Sequence, residues 1–288
     1  MTSLRDVLEG AERSHVAVGH FNFSEVVAFN GIVTAARALN LPVMVGVSEG
    51  ERAFFGVPQA VALVKSARDE FGLPIFLNAD HTHSLDKAEQ AAKAGFDEII
   101  FDGSGLPFEK NIALTKRAVE TIKAINPSII VEGEIGWIGT SSEILATAPA
   151  GVGILSTPEE ARQFVEETRV DVLAPAVGNM HGLLKSMLSG ETQKRLNIQR
   201  IREIKDAVKI FMTLHGGSGT NDDDFRRAIK AGMTIVHVNT ELRVAWRKGL
   251  EASLSKNPDE VAPYKILPPV VEAVKNVVST RLRLFNSA

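Results

Sequence analysis

The sequence lacks cysteine entirely: none of its 288 residues carries a thiol. A disulfide framework and a thiolate metal site are therefore excluded, and any soft metal ion has to be bound by histidine nitrogen and carboxylate oxygen. An excess of one charge is also absent, because 32 basic and 35 acidic residues leave a formal net charge of -3. This balance offers no electrostatic footprint for nucleic acid or an anionic membrane, so a small-molecule partner is favoured by elimination.

Long apolar runs are missing as well. No segment approaches the roughly 18 apolar residues needed to span a bilayer, and the N-terminal stretch MTSLRDVLEGAERSH lacks the apolar core of a signal peptide. We therefore expect a cytoplasmic protein. Because 44% of the residues are hydrophobic, 23% are charged and no linker-like composition shift divides the chain, we expect residues 1–288 to form a single globular domain.

What is present is a repeating pattern of short β-branched runs, each followed by an amphipathic stretch of helical period. Eight runs can be counted: HVAVGHFN from His15, VMVGVS from Val43, PIFLNAD from Pro74, EIIFDG from Glu98, IIVEGEI from Ile129, VLAPAV from Val172, IFMTLHG from Ile210 and TIVHVNT from Thr234. Repeated βα units predict a parallel sheet. Eight of them favour an α/β fold of the single (β/α)8 TIM barrel type over an open doubly wound sheet.

The intervening stretches carry helix boundaries. Ser84 and Asn221 are placed to begin two helices, and Gly95 and Gly232 to end them. The weakly periodic stretch 136–158 instead predicts a loop over the site.

Polar side chains end nearly every predicted strand, where barrel enzymes gather their chemistry. They are Asn22, Ser48, Asp80, His81, His83, Asp102, Glu132, Glu134, His181, His215 and Asn239. Five of the seven histidines lie at or just after these ends, at positions 81, 83, 181, 215 and 237. Any one alone is explained by a strand cap or a buried hydrogen bond. Together they predict a three-histidine metal site, since strand ends around one rim converge on one pocket.

Glycine follows two of these histidines, in GNMHG and LHGGSG. Glycine lets the backbone approach a bound group closely. The LHGGSG turn before a capped helix resembles the phosphate cradle that barrels form after strand seven. An ordinary turn between strand and helix remains the alternative, because the turn is a weak signal by itself.

At these residues the sequence resembles the class II, zinc-dependent ketose-bisphosphate aldolase family, which includes fructose- and tagatose-bisphosphate aldolases. The resemblance covers almost the whole chain and rests on several motifs in family order: VGHFN, NADHTHS, FDGSGLPFEKNI, VEGEIGWIG, VGNMHG, LHGGSG and HVNTELR. It implies a barrel that assembles as a homodimer or homotetramer, and it makes 263–283 the final helix.

The resemblance also implies roles for individual residues. It makes His81, His181 and His215 the Zn2+ ligands, Glu134 an alternative ligand and Asp80 the acid/base. It places the phosphate of dihydroxyacetone phosphate at Gly182, Lys185, Gly216, Gly217, Ser218, Asn239 and Thr240, and other polar atoms of the substrate near Asn22 and Ser48.

The implied activity is reversible cleavage of fructose 1,6-bisphosphate to dihydroxyacetone phosphate and glyceraldehyde 3-phosphate. Zinc would supply a Lewis acid, and Asp80 would exchange a proton with the C4 hydroxyl. No lysine ends a strand in an apolar pocket, so an imine mechanism is rejected. The alternatives are an aldolase for another phosphorylated ketose, such as tagatose 1,6-bisphosphate or a monophosphate, and a sugar-phosphate-binding barrel with weak catalysis.

Three departures from the family pattern motivate those alternatives. Asn78 stands where the family usually has histidine. The family expects a glutamate, the base for the C3 proton, at position 141 or 142, whereas this chain has serine at both and then Glu143. Glu143 is thus our candidate base, with a solvated loop carboxylate as its alternative. His237 replaces a substrate-contacting asparagine and is expected to contact the substrate itself.

Overall fold

The computed structural model describes residues 2–139 and 142–287. Its centre is a closed barrel of eight parallel strands in the order β1-β10-β9-β7-β5-β4-β3-β2. The strands, including a separate two-stranded sheet of β6 and β8, are β1 Val18–Asn22, β2 Val43–Val47, β3 Ile75–Thr82, β4 Glu98–Phe101, β5 Ile130–Ile135, β6 Ile144–Leu145, β7 Val172–Pro175, β8 Leu183–Leu184, β9 Phe211–Leu214 and β10 Met233–His237. Each of the eight predicted runs overlaps a barrel strand, so the predicted (β/α)8 barrel is confirmed.

Helices alternate with the barrel strands and cover their outer faces. They are α1 Leu4–Arg13, α2 Val26–Leu39, α3 Glu49–Phe55, α4 Val57–Phe71, α5 Leu85–Ala94, α6 Phe108–Ile125, α7 Pro158–Thr168, α8 Lys185–Leu188, α9 Ile198–Val208, α10 Asp222–Lys230, α11 Thr240–Lys256, α12 Pro263–Ile266 and α13 Pro268–Phe285. Within the described residues, no helix has both the length and the apolar character needed to cross a membrane.

The predicted helix boundaries hold where a capping side chain is present. The Ser84 side chain accepts from the backbone of Lys87 at the start of α5, and Gly95 ends that helix in a left-handed conformation. Asn221 caps α10 in the same way. The expectation of one final helix over 263–283 is wrong in detail. Leu267 separates α12 from α13 because Pro268 and Pro269 have no backbone N–H with which to continue the first helix.

The barrel interior changes from apolar to polar along the strands. At its amino-terminal end, inward residues such as Val18, Met44 and Ile130 pack in one buried cluster with Leu4 and Leu8 of α1, which closes that mouth. Since side chains alternate along a strand, the next inward positions lie two residues further on. They include the fully buried side chains of His20, Asn78, Glu98, Glu132 and Thr213.

A third inward layer follows after two more residues. It contains Asn22, Ser48, Asp80, Glu134 and His215, all predicted site residues. The strand period therefore directs these side chains to the carboxyl-terminal mouth, which is the end that α1 leaves open.

Candidate active site

The carboxyl-terminal mouth of the barrel contains a cavity of about 210 Å³, which we call the site cavity. Most of the predicted site residues line it: Asn22, Ser48, Asp80, His81, His181, Gly182, Gly216, Ser218, His237, Asn239 and Thr240. Glu134 and His215 are buried, exposing 2% and 0% of their surface, and take part in the histidine cluster described below. The structure thus brings together side chains that are up to about 220 positions apart in sequence, because the ends of all eight strands meet around one rim.

Three further predicted residues, Gly217, Lys185 and Glu143, are absent from the cavity lining. Gly217 lies in the turn 216–219 described below. Lys185 begins the short helix α8 and is exposed. Glu143 is also exposed, and its backbone carbonyl accepts from the N–H of Leu183 at 2.8 Å. Its neighbour Ser142 does line the cavity, whereas Ser141 lies outside the described residues. The loop that carries Glu143 is therefore joined to the segment that follows His181.

Four ligand-type side chains converge at the inner wall of the site cavity. One ligand atom from each of His81, Glu134, His181 and His215 lies within 4.8 Å of all the others. His181 Nε2, His215 Nδ1 and Glu134 Oε2 are buried and have no hydrogen-bond partner. Buried polar atoms are rarely left unpartnered, and imidazole nitrogen with carboxylate oxygen is a donor set that suits zinc. These residues therefore fit a bound divalent cation.

Carboxylates outside this cluster orient two of the histidines. His81 Nδ1 donates to Asp102 Oδ2 at 2.8 Å, and Asp102 in turn accepts from the backbone and hydroxyl of Ser104. His215 Nε2 donates to Glu132 Oε1 at 2.6 Å. Each bond turns the other ring nitrogen toward the cluster and sets its tautomer, as carboxylates behind metal-bound histidines do.

The backbone at His81 is itself unusual. Its φ is 41°, in the left-handed region that few residues other than glycine adopt. The pairing of β3 with β4 is irregular between Ala79 and Thr82. An irregularity of this kind re-aims a side chain near a strand end. It is the local reason that neighbouring residues, Asp80 and His81, can both face the site.

Asp80 is held next to the histidine cluster. Asn22 donates to Asp80 Oδ2 at 2.8 Å and to Glu51 Oε2 at 2.9 Å. Asp80 Oδ1 has no partner, and it lies 3.8 Å from His81 Nε2 and 3.7 Å from His237 Nδ1. Burial raises the pKa of Asp80, but the nearby histidines and the Asn22 amide outweigh it and hold the pKa below its usual range. Asp80 is thus a carboxylate with one free oxygen, able to accept a proton.

Burial and neighbouring charges shift the pKa values of the cluster in different directions. Burial alone would lower the pKa of His81, but the carboxylates of Asp80 and Asp102 raise it to about 10. Burial raises the pKa of Glu134 to about 8, with Asp102 adding to the effect. Burial and the other histidines lower the pKa of His181 well below its usual value. Without a metal ion, His81 and Glu134 therefore carry protons at pH 7, and His181 does not.

This distribution predicts proton release when zinc binds. Because a ligand must be deprotonated, Zn2+ binding at pH 7 is expected to release at least one proton, and affinity is expected to rise with pH up to about 10, the pKa of His81. Calorimetric titration in buffers of different ionisation enthalpy measures that release. Glu134→Gln is the matched variant and should release fewer protons; binding without net release in the unmodified protein would contradict the prediction.

The backbone of the turn 216–219 forms a second part of the site. Gly216 has a φ of 60°, and a Cβ there would lie 2.3 Å from the carbonyl oxygen of Met180. The N–H groups of Gly182, Gly216 and Ser218 form no hydrogen bond among the described residues. The N–H of Gly217 differs, since it donates to the His237 carbonyl at 3.0 Å. This arrangement offers free amides to an anion from Gly182, Gly216 and Ser218.

A helix N-terminus adds to this anion site. Helix α11 is 17 residues long and begins at Thr240, and Asn239 before it makes no side-chain cap. Asn239 and Thr240 both line the site cavity. The positive end of the helix dipole therefore points at a position where an anion would be stabilised.

Three imidazole rings stack beside Asp80. The ring centroids of His20 and His237 are 3.5 Å apart with an angle of 7° between the planes, and those of His237 and His215 are 4.2 Å apart. Stacked rings direct their nitrogen lone pairs in parallel planes, so His20 and His237 are poorly arranged to share one ion. His237 instead presents an edge to the site cavity, which it lines.

Sequence reasoning missed several charged residues at the site, among them Glu49, which lines the cavity, and the pair of Arg243 and Glu51. Arg243, in the first turn of α11, lines the cavity and donates to Glu51 Oε1 at 2.8 Å. Glu51 lies on α3, where it forms a capping box with Ser48. The pattern of a serine followed three residues later by glutamate could have located Glu51. Nothing in the sequence places Arg243, because it follows a strand end by six residues rather than ending the strand.

Comparisons with known proteins agree with this geometry. The model of the family described as fructose-bisphosphate aldolase class-II matches residues 2–288. The chain is 32% identical to fructose-bisphosphate aldolase of Geobacillus stearothermophilus and 33% identical to a probable fructose-bisphosphate aldolase of Bacillus subtilis, covering 100% of this chain and 98% of each relative. A crystal structure of the YdjI aldolase from Escherichia coli K12 superposes with a TM-score of 0.83 at 27% identity, covering 99% of this chain and 97% of that chain.

Proposed function

The chain belongs to the class II fructose-bisphosphate aldolase family, and from that premise we propose that it is a zinc-dependent aldolase. The proposed reaction is reversible cleavage of fructose 1,6-bisphosphate into dihydroxyacetone phosphate and glyceraldehyde 3-phosphate. One observation carries it: the unpartnered ligand atoms of His181, His215 and Glu134 converge with His81 directly beside the carboxylate of Asp80. Cleavage between C3 and C4 of a ketose requires an electrophile for the developing negative charge and an acceptor for the C4 hydroxyl proton.

The roles divide among the residues of the site. His81, His181 and His215 would hold a divalent cation, which would supply a Lewis acid for the negative charge that develops at the ketose carbonyl. Asp80 removes the proton of the C4 hydroxyl during cleavage and returns it during condensation. Asn22 keeps Asp80 in place for this transfer through its 2.8 Å hydrogen bond.

The anionic ends of the substrate have separate binding groups. The free amides of Gly182, Gly216 and Ser218 and the N-terminus of α11 bind the phosphate of the dihydroxyacetone half. Arg243 is the guanidinium among the residues that line the site cavity, so we assign it to the phosphate at the other end. Lys185 would have to move from its exposed position to contribute.

A second phosphorylated ketose is the alternative substrate. His237 lines the cavity where the family pattern has asparagine. A ketose with a different hydroxyl configuration would therefore meet an imidazole at this position rather than a side-chain amide. The Asn78 amide donates to Glu98 Oε2 at 2.5 Å, deeper in the barrel than the cluster. Cleavage rates for fructose 1,6-bisphosphate, tagatose 1,6-bisphosphate and ketose monophosphates, measured before chelation, after chelation and after zinc restoration, test both the substrate and the metal. Equal rates with and without chelator would overturn zinc dependence.

Glu143 is our proposed base for the C3 proton of dihydroxyacetone phosphate. Its exposed side chain lies on the segment that pairs with 183–184, next to Ser142 in the cavity wall. Glu143→Gln is expected to slow metal-dependent exchange of the C3 hydrogen by about a hundredfold or more, as loss of a general base does. Deuterium exchange followed by NMR is the measurement.

The matched control for that base is Glu159→Gln, an exposed carboxylate in the first turn of α7. Unchanged exchange in Glu143→Gln would favour another base. If the unmodified protein binds dihydroxyacetone phosphate tightly but exchanges no C3 hydrogen, the chain is a sugar-phosphate-binding barrel rather than an aldolase.

The assembly and domain organisation complete the proposal. We propose that residues 1–288 form one catalytic domain that associates as a homodimer or homotetramer. Large apolar side chains are exposed at Phe54, Val261 and Tyr264, by 79%, 86% and 77%, and association would cover such groups.

A further inference from the structure

A buried lysine lies behind the loops of the site. Lys194 is only 4% exposed, although it stands in the irregular segment between α8 and α9. Lysine is almost never buried to this extent unless its ammonium group is paired. Here no carboxylate of the described residues forms a salt bridge with it. Its partners are three backbone carbonyl groups.

The three carbonyl groups come from the two loops that carry predicted metal ligands. Lys194 Nζ donates to the carbonyl oxygens of Met180 and Gly182 at 2.7 Å and of Gly216 at 2.9 Å. Met180 and Gly182 flank His181, and Gly216 follows His215. The ammonium group therefore joins the peptide units next to both histidines.

The backbone of Lys194 is fixed to the same turn. Its N–H donates to the Gly219 carbonyl at 2.9 Å, and its carbonyl accepts from the N–H of Asn221 at 3.2 Å. The side chain thus extends from one edge of the 216–219 turn, beneath it, to the loop around His181. All three donor positions of the ammonium group are used, so its orientation is determined.

Among the described residues, no counter-ion contacts this group directly. Burial lowers the pKa of Lys194 to about 7, and the more distant Glu241 only partly opposes the effect. The free N–H groups of Gly182 and Gly216 belong to the same residues whose carbonyls Lys194 binds. An anion bound by those amides would therefore lie close to the Lys194 amino group and would favour its charged form.

We propose that Lys194 is a positioning residue that acts as a built-in cation: it clamps the His181 and His215 loops together and supplies positive charge behind the anion-binding amides. This role rests on the proposed function only for the identity of the anion, the phosphate of the substrate. The clamp itself requires no substrate. Lys194 does not touch the reacting atoms.

Two variants separate the charge from the volume of this side chain. Lys194→Ala leaves a space lined by three carbonyl oxygens, whereas Lys194→Met fills most of that space without charge. In the zinc-loaded protein, both are expected to weaken binding of inorganic phosphate and of dihydroxyacetone phosphate by about tenfold or more, since a hydrogen-bonded charge is lost. Calorimetry measures both affinities without turnover.

Chemical rescue gives the decisive comparison. Ammonium chloride is expected to restore phosphate affinity to Lys194→Ala but not to Lys194→Met, whose side chain blocks the carbonyl cage. Tetramethylammonium chloride at the same ionic strength should restore neither, because it has no N–H group and is too large. Rescue by both salts, or rescue of both variants, would overturn the proposal.

A measurement without substrate distinguishes failure of the clamp from failure of the proposed function. Ammonium should raise the melting temperature of Lys194→Ala and leave that of Lys194→Met unchanged. Lys123→Ala is the control, since Lys123 also donates to a backbone carbonyl, that of Ile129, but at the opposite end of the barrel. It should lose stability without losing phosphate affinity. Wild-type phosphate affinity in Lys194→Ala without ammonium would refute the role of the charge.

Discussion

Replacing His181 by alanine is expected to lower the rate of aldol cleavage by about a thousandfold or more, because a Lewis acid lowers the activation barrier by several kcal/mol. His181 Nε2 is buried and unpartnered, and burial lowers the pKa of this ring well below its usual value, so it binds a cation without first losing a proton. Removing it would take away one of the three proposed imidazole ligands. Zinc content after dialysis and cleavage rate at saturating zinc are the two measurements.

His83→Ala is the matched control for this variant. His83 is an exposed histidine that lines the same cavity two residues after His81, but it is not part of the ligand cluster. It should keep its zinc and most of its activity. Full activity in His181→Ala, or equal zinc loss in both variants, would contradict the assignment of His181 as a ligand.

Replacing Asp80 by asparagine is expected to slow cleavage by about a hundredfold to ten-thousandfold, the usual contribution of a general acid/base. The pKa of Asp80 is held below its usual range, so the wild-type side chain is ionised at neutral pH and ready to accept the C4 hydroxyl proton. Asparagine preserves the shape of the side chain but cannot accept that proton. Cleavage of fructose 1,6-bisphosphate at saturating substrate measures the loss.

The same variant distinguishes the two proton transfers. Asp80 is assigned to the C4 oxygen and Glu143 to C3, so Asp80→Asn should retain zinc and should still exchange the C3 hydrogen of dihydroxyacetone phosphate. Glu143→Gln should lose that exchange. Asp80→Asn with normal cleavage would exclude Asp80 as the acid/base. Parallel loss of zinc would show that its carboxylate is a ligand instead.

The barrel and most of its cavity lining were predictable because both depend on local periodicity. The alternation of side chains along a strand places positions 18, 20 and 22 on one face, and likewise 130, 132 and 134. An apolar residue at the first position and polar residues at the others indicate which end of the barrel carries the chemistry. Asp80 and His215 could be named as site residues on this basis.

The arrangement of ligands and their supports could not be predicted in this way. The irregular register at Ala79 and Thr82 and the positive φ of His81 depend on how β3 pairs with β4. The hydrogen bonds of Asp102 and Glu132 decide which imidazole nitrogens face the cluster. The family resemblance named the proposed ligands, but no spacing in the sequence identifies the carboxylates that orient them.

Residues outside the strand ends were even harder to identify from the sequence. Lys194 lies in a segment without regular structure, and its burial depends on contact with two loops, one of them 22 residues away along the chain. In the sequence, Arg243 is one basic residue of a helix, and only the closed barrel shows that it lines the cavity.

The sequence by itself therefore determined the eight βα units, the polar end of the barrel and the residue types available for a cation, since alternation and helical period act between near neighbours. Tertiary structure alone decided which of those residues meet, which nitrogens are left free, and where the charges of Lys194 and Arg243 lie. These depend on distances between segments far apart in the chain, which closure of the barrel brings within a few ångströms.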